Sequence, residues 1–392
     1  MGLAGLCCPA VTAADSNKRS DPPVPLLPDF GGACLTGVIP GLFGCLYGNE
    51  AAPSFMPANL ADATQIVLLV LDGLGAEQLA ARPHLAPTLT EGVGTPITSV
   101  APSTTACALT SLSTGVPPAT HGIVGYRVAL GDEIMNVLTW TISGADARMR
   151  VPSGTFQPCV PFSGSPGPVP VVTRNDFGPT GFSAAHLGAA DLHRWHTPAG
   201  LVTGVRGLLS SGARFIYAYY EGIDKVAHAR GLGEYYDDEL VAVDRMVGDL
   251  LASLPAGAAL VVTADHGQVE VGGRGEILGG DIMDAVTLLS GEGRFRWLHV
   301  RPGAQDTVVH AAQEHFGDVA WIRTREQIIN DGWLGGVPSA AVASRMGDVA
   351  LMPFVATAFL DPADTGELRL LARHGSLTPA EMLVPLLSWP LT

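Results

Sequence analysis

The chain has 392 residues, 47 % of them hydrophobic, enough to fill one large core with a smaller appended unit and without covalent staples. Its 22 Lys and Arg against 37 Asp and Glu leave a net charge of -15, which repels a nucleic-acid backbone or an anionic lipid surface and excludes bulk binding to either. A small anionic substrate remains compatible with that balance where divalent metals concentrate positive charge in a pocket.

The six cysteines, Cys7, Cys8, Cys34, Cys45, Cys107 and Cys159, form no C-x-x-C pair and no thiolate cluster, so neither a disulfide framework nor a thiolate metal centre is expected. The opening MGLAGLCCPAVTAADSNKRS is mildly apolar, has no basic residue ahead of its apolar part and is short for a secretory signal. No later apolar run reaches the length of a membrane span. The expectation is a cytoplasmic protein without a membrane partner, of undetermined oligomeric state.

Residues 1–60 are rich in Pro and Gly and read as an irregular lead-in that packs against a domain without supplying its sheet. Ile66 to Leu71 is a continuous, β-branched-rich apolar run ending in Asp72-Gly73, the pattern of a strand buried on both faces before a turn. The same form recurs at Phe215 to Tyr220, Leu260 to Ala264 and Val349 to Val355. Between these runs lie helical patterns, clearest in Glu234 to Leu254, where Leu240, Val243, Val247, Leu250 and Leu251 recur at helical spacing. Buried strands alternating with helices predict a largely parallel sheet covered on both sides. Residues 144–200, which contain PSGTFQPCVPFSGSPGPVP, read as an irregular cap excursion. Residues 272–345 hold a strand-like RFRWLHV, a helix-like DTVVHAAQEHF and a strand-like VAWIR, enough for a small inserted βαβ-type unit. The catalytic core is accordingly expected over 61–271 and 346–392.

Taken singly, the chemically suggestive residues have ordinary readings. Asp72 before Gly73 suits a turn, Asp224 and His228 suit a solvated i, i+4 pair, Asp265-His266-Gly267 suits a strand-to-loop turn, and His374 suits a helix end. Their placement changes that weighing: each follows an apolar run or sits in the loop after one, and in parallel α/β sheets those carboxyl ends form one ligand-binding edge. Six Asp and His ligands without thiolate suit zinc, and the number allows two metals with three protein ligands each and open positions for substrate. In APSTTACALTSLSTG, Thr105 stands at the start of a helical run, where free N–H groups favour a phosphate oxyanion. Its ordinary alternative is a Ser/Thr cap. His121-Gly122 reads as the end of that helix, with Gly in the left-handed position. His84, His186, His193, His196, His299, His310 and His315 have no ligand-like context.

LVLDGLG, PSTTACALTSLSTGVPPATHGIVGY, the D-x-x-x-H of Asp224 and His228, TADHG and HGSLTP stand in an order that resembles the alkaline phosphatase superfamily, closest to its nucleotide pyrophosphatase/phosphodiesterase branch. The resemblance runs from about residue 64 to 385. It implies a three-layer α/β/α sandwich with a smaller inserted α+β unit, two divalent ions, zinc ahead of manganese, and a phosphothreonine intermediate on Thr105. By resemblance Asp72, Asp265 and His266 hold one metal together with Thr105, and Asp224, His228 and His374 hold the other. The implied activity is cleavage of phosphodiester or pyrophosphate bonds in small, nucleotide-type phosphate esters. Two departures stand out: Ala106-Cys107-Ala108-Leu109 replaces the branch's usual aromatic sequence after the nucleophile, and Tyr126 replaces its usual asparagine. Tyr126 is therefore a candidate oxyanion donor, with a purely structural role as the alternative. Sulfatases share the ending of Leu112 to Gly115 but carry an Arg where this chain has Leu109. Phosphonoacetate hydrolases and metal-dependent phosphomutases or phosphomonoesterases of the same superfamily are the enzyme alternatives. A degenerate, non-catalytic metal-binding domain is the remaining one, and such degeneration is expected to cost ligands that are all present here.

Overall fold

The structure is a computed structural model that describes residues 22–48, 51–176, 180–364 and 366–391. Cys7, Cys8 and the apolar opening segment lie outside the described residues.

Gln65–Leu71 is the central strand of a seven-stranded sheet, buried on both faces as its unbroken run of Ile, Val and Leu requires. Phe215–Tyr220 and Ala258–Thr263 pair with it in parallel, one on each side. Pro170–Arg174 and Asp191–Trp195 continue the parallel order outward, while Leu386–Ser388 and Val93–Gly94 close the other edge antiparallel. Val38–Tyr47, Thr105–Thr114 and Gly181–Leu187 form one helical layer; Pro198–Ser210 and Glu234–Ala252 form the other. Leu240, Val243, Val247 and Leu250 of the long helix are buried, the stripe that its spacing predicts. The result is a three-layer α/β/α sandwich, with all the long parallel strands ending on one edge. Among the described residues no helix is long and apolar enough to cross a membrane.

Four sequence expectations change here. The lead-in before residue 60, read as irregular, carries the ten-residue helix Val38–Tyr47. The stretch 144–200, read as an irregular cap, supplies the strands Pro170–Arg174 and Asp191–Trp195 to the main sheet. Proline at a strand's first residue costs no ladder bond, and the edge strand Asp-Leu-His-Arg-Trp needs no apolar run. Val349–Pro353, read with the main-sheet strands, instead pairs antiparallel between Phe295–Val300 and Ala320–Thr324 in a separate four-stranded sheet. Ala350 and Met352 face the main core, whereas Val349 and Leu351 face a second core with Val308 and Ala312 of the helix Gln305–Phe316. Burial on both sides of the smaller sheet produces the same apolar run as burial inside the large one. Phe295–Val300, the helix and Ala320–Thr324 form a split βαβ arrangement with Val349–Pro353 between its strands. Finally, the helix that begins at Thr105 ends at left-handed Gly115, and Gly122 ends the next short helix, Pro118–His121.

Candidate active site

Asp72 follows the central strand directly, Asp224 lies in the helix Gly222–Arg230 after Phe215–Tyr220, and Asp265 and His266 follow Ala258–Thr263. His374 arrives from the far end of the chain, just after a two-residue strand that pairs Arg373 with Val269. Parallel register places these carboxyl ends side by side. Gly73, at φ 77°, permits the closest approach: a Cβ there would meet Asp224 Cα at 3.1 Å and its Cβ at 3.0 Å.

The donor atoms converge. His266 Nε2 lies 3.4 Å from both Asp72 Oδ1 and Asp265 Oδ2, and His228 Nε2 lies 3.2 Å from Asp224 Oδ1. His374 Nε2 is 3.8 Å from the same Asp224 oxygen, and the His266 and His374 rings stack with centroids 3.5 Å apart. Asp224, His228 and His374 make one group with ligand spacing; Asp72 and His266 make another with Asp224, and Asp265 stands beside it.

A uniform second layer orients the imidazoles. Each Nδ1 faces a backbone carbonyl, His228 that of Ala372 at 2.7 Å, His374 that of Ser103 at 2.9 Å and His266 that of Gly267 at 3.1 Å. Donation from Nδ1 leaves every Nε2 a lone pair directed among the carboxylates, the arrangement a metal-binding histidine needs. Among the described residues Asp72 Oδ1 and Asp265 Oδ2 are buried with no hydrogen-bond partner, although Tyr219 donates to Asp72 Oδ2 and the amides of Gly73 and His266 donate to Asp265 Oδ1. Burial pushes the pKa values of Asp72, Asp224 and Asp265 up, neighbouring carboxylates add to the push on Asp72, and burial pushes His266 and His374 down. Three crowded carboxyl groups and three inward lone pairs are costly alone and fit divalent cations.

Thr105 opens a ten-residue helix whose cap residue, Thr104, makes no side-chain capping bond. The Thr105 hydroxyl instead lies 3.1 Å from His266 Nε2, among the metal-fitting donors and at the helix's positive end. Ser103 fastens this segment to the His374 loop: its Oγ donates to Ser376 O at 2.7 Å and accepts from Gly375 N at 3.1 Å.

Two cavities open beside Thr105. The smaller, about 270 Å³, is lined by Tyr126, Asp224, His228, Glu292, Arg373 and His374 among others. Tyr126 accepts a hydrogen bond from Asn136 Nδ2 at 3.0 Å there. The larger, about 460 Å³, is mainly apolar. Arg373, Glu292 and Asn136 were missed from sequence. Arg373 adjoins His374 without a signal of its own; Glu292 ends a strand of the smaller sheet, and no local pattern marks it. Tyr219 was read only as part of an apolar strand, and His186, set aside as featureless, lines the larger cavity. Arg294 and Arg296 are buried against Glu381 and against Phe359 O, and Arg345 against Phe156 O.

The profile of the family described as type I phosphodiesterase / nucleotide pyrophosphatase matches residues 66–147 and 189–377. Among solved structures, murine ectonucleotide pyrophosphatase/phosphodiesterase 5 superimposes with a TM-score of 0.62 at 15% identity, covering 83% of this chain and 87% of that one. An inactive variant of the murine protein in complex with AMP gives 0.62 at 16% identity, with 83% and 88% covered. Phosphonoacetate hydrolase from Sinorhizobium meliloti, in complex with phosphonoformate, gives 0.61 at 20% identity, with 83% and 89% covered. None of the curated proteins matches the chain. Fold and family together define a metal-dependent hydrolase of phosphoester bonds, of the alkaline phosphatase superfamily. The chain belongs to the type I phosphodiesterase / nucleotide pyrophosphatase family.

Proposed function

We propose that this chain hydrolyses phosphodiester or pyrophosphate bonds by nucleophilic attack of Thr105, at a site holding two zinc ions. One observation carries the reading: the Thr105 hydroxyl, at a helix N-terminus, lies 3.1 Å from His266 Nε2, which itself lies 3.4 Å from one carboxylate oxygen each of Asp72 and Asp265. Asp72, Asp265 and His266 would hold one ion, and Asp224, His228 and His374 the other; manganese suits the same donors less well. Bound there, such ions supply Lewis acidity that lowers the hydroxyl pKa and offsets phosphoryl charge.

The chain's own groups account for the remainder. The helix N-terminus orients a phosphoryl oxygen next to Thr105. The Thr105 Oγ–P bond forms as the P–O bond to the departing alcohol breaks, and the hydroxyl proton leaves overall with that alcohol. Water then replaces Oγ on phosphorus, and one of its protons returns to Thr105. Tyr126 lines the cavity at this point, and its hydroxyl, oriented by Asn136, suits a contact to phosphoryl oxygen. A diester carries one charged oxygen fewer than a monoester, which suits a site where Ala106, Cys107, Ala108 and Leu109 after Thr105 supply no cation. Nucleotide-type diesters are the substrates expected from the family.

A second reading is favoured by Arg373. Its place in the smaller cavity beside Thr105 offers a guanidinium to a second anionic group, as a phosphonate bearing a carboxylate would present. The test compares bis-p-nitrophenyl phosphate, p-nitrophenyl phosphate and phosphonoacetate on one zinc-loaded preparation. Diester turnover should lead; a monoester preference of roughly tenfold in kcat/KM, about 1.4 kcal/mol, overturns the diesterase assignment. Release of phosphate from phosphonoacetate above both esters establishes the second reading instead.

A further inference from the structure

The larger cavity beside Thr105 is about 460 Å³ and is walled chiefly by Leu109, Leu138, Val171, Phe182, Leu187 and Leu192. We propose that it seats the substituent that remains on phosphorus during attack, and that this substituent is an apolar, ring-sized group rather than a nucleoside. The inference rests on the hydrolase reading above and names its substrate class.

Leu109 follows Thr105 by four residues, on the same face of the helix, so the cavity runs alongside the nucleophile. In-line displacement sends the departing oxygen to the side opposite Thr105. A group lying along the Thr105 helix is therefore the one retained.

The chemistry of the wall selects what is retained. Phe182 and His186, both in the lining, stack nearly parallel, with centroids 4.1 Å apart and planes 20° apart, so the wall holds an aromatic pair beside which a further ring can pack. His186 donates from Nδ1 to Phe182 O at 2.7 Å, and burial holds its pKa down at about 4, so it is neutral and adds no charge. Several polar groups of the rim are engaged locally, while Glu221 Oε2 is buried without a hydrogen-bond partner among the described residues. Thr180 Oγ1 accepts from Ser183 N at 3.0 Å, Lys225 Nζ bonds Glu221 at 2.9 Å, and Arg174 bonds Glu221 at 2.7 Å and Asp176 at 3.0 Å. Tyr217, also in the lining, has a buried hydroxyl without a hydrogen-bond partner among the described residues, which serves one acceptor and not the several edge groups of a base. A nucleoside placed here would set much of its base edge against leucine, valine and phenylalanine, and the open groups of the wall, the Tyr217 hydroxyl and Glu221 Oε2, offer one donor and one acceptor for its several edge groups and ribose hydroxyls. An aryl group loses nothing of that kind and gains burial.

The experiment uses the zinc-loaded, full-length protein and three diesters that share p-nitrophenolate as the departing group: methyl, phenyl and thymidine-5′ p-nitrophenyl phosphate. Each kcat/KM is divided by the ester's uncatalysed rate. The phenyl ester should exceed the methyl ester by roughly a hundredfold, the scale on which added apolar groups discriminate in a fitted pocket, and should exceed the thymidine ester. Phe182→Ala and, separately, the milder Leu192→Gln should each narrow the phenyl-to-methyl ratio about tenfold; the ratio is internal to one preparation and does not depend on how much of it folds. Phenyl and methyl esters within threefold of each other, a faster thymidine ester, or an unchanged ratio in both variants would overturn the seat while leaving the hydrolase reading intact. Turnover of none of the three, with metal bound, removes both.

Discussion

At Thr105, two substitutions separate a nucleophile from a helix cap. Thr105→Ala should reduce turnover of bis-p-nitrophenyl phosphate by at least about a thousandfold, since the attacking oxygen is gone, while elemental analysis finds the metal content kept by the six Asp and His donors. Thr105→Ser preserves the oxygen and should retain measurable activity. Near-normal rates in the alanine variant would assign attack to water instead. His121 makes a pH prediction away from those donors. It is fully buried, accepts from Ile123 N at Nδ1 over 3.1 Å and faces Ser111 Oγ at 2.8 Å, and burial with Arg345 nearby lowers its pKa from 6.5 to about 3. The folded state thus holds it neutral while the unfolded chain takes up a proton below 6.5. Its contribution to stability is complete above pH 6.5 and is lost as pH falls from there toward 3. Urea unfolding from pH 7 to pH 4 should show the midpoint falling, and His121→Gln should flatten that slope.

At the scale of elements, a buried pair joins the smaller sheet's hairpin to the turn after His374. Arg294 bonds both oxygens of Glu381 at 3.0 and 2.7 Å with neither side chain exposed, and Glu381 also accepts from Ser376 N at 3.0 Å and Thr378 Oγ1 at 2.6 Å. The smaller sheet is in this way tied to the turn that carries His374. Removing one partner strands the other charge in the core, so Arg294→Met should cost about 3–5 kcal/mol, read from urea unfolding. The double change Arg294→Met with Glu381→Leu leaves no stranded charge and should cost less than the single one. A double variant as unstable as the sum of its parts would show that the two residues act independently.

Across the whole molecule, the site joins segments spread from Asp72 to His374, so metal binding should be felt as global stability. Three partly burdened carboxyl groups and three oriented imidazoles are supplied by four separate chain segments, and a cation bound to the folded state alone stabilises it by mass action, about 2.7 kcal/mol at a hundred times Kd. Chelation should therefore lower Tm and added zinc should restore it, whether or not any substrate is turned over. A Tm indifferent to chelator and to zinc would contradict a metal centre built by these residues. The net charge of -15 sets the sign of a second global effect: substrate anions approach against the field of the surface, so added salt should ease their association.

Periodicity and order made much of this molecule legible in advance. The three central strands were readable because burial on both faces demands an unbroken apolar run, and Asp72, Asp224, Asp265 and His266 were readable because each follows such a run at the edge where parallel strands end. The same signal misplaced Val349–Pro353, since a strand between two cores has that composition in either sheet, and it overlooked Pro170–Arg174 and the polar edge strand Asp191–Trp195. Tertiary structure alone decided which sheet each strand joined, that Glu292 and Arg373 line the cavity beside Thr105, and that Leu109 shares a second cavity with Phe182 and Leu192. Local pattern records whether a residue is buried and in what periodicity. Which distant segment it is buried against depends on register, crossover and packing of the whole chain, and those contacts shape the cavities that would choose the substrate.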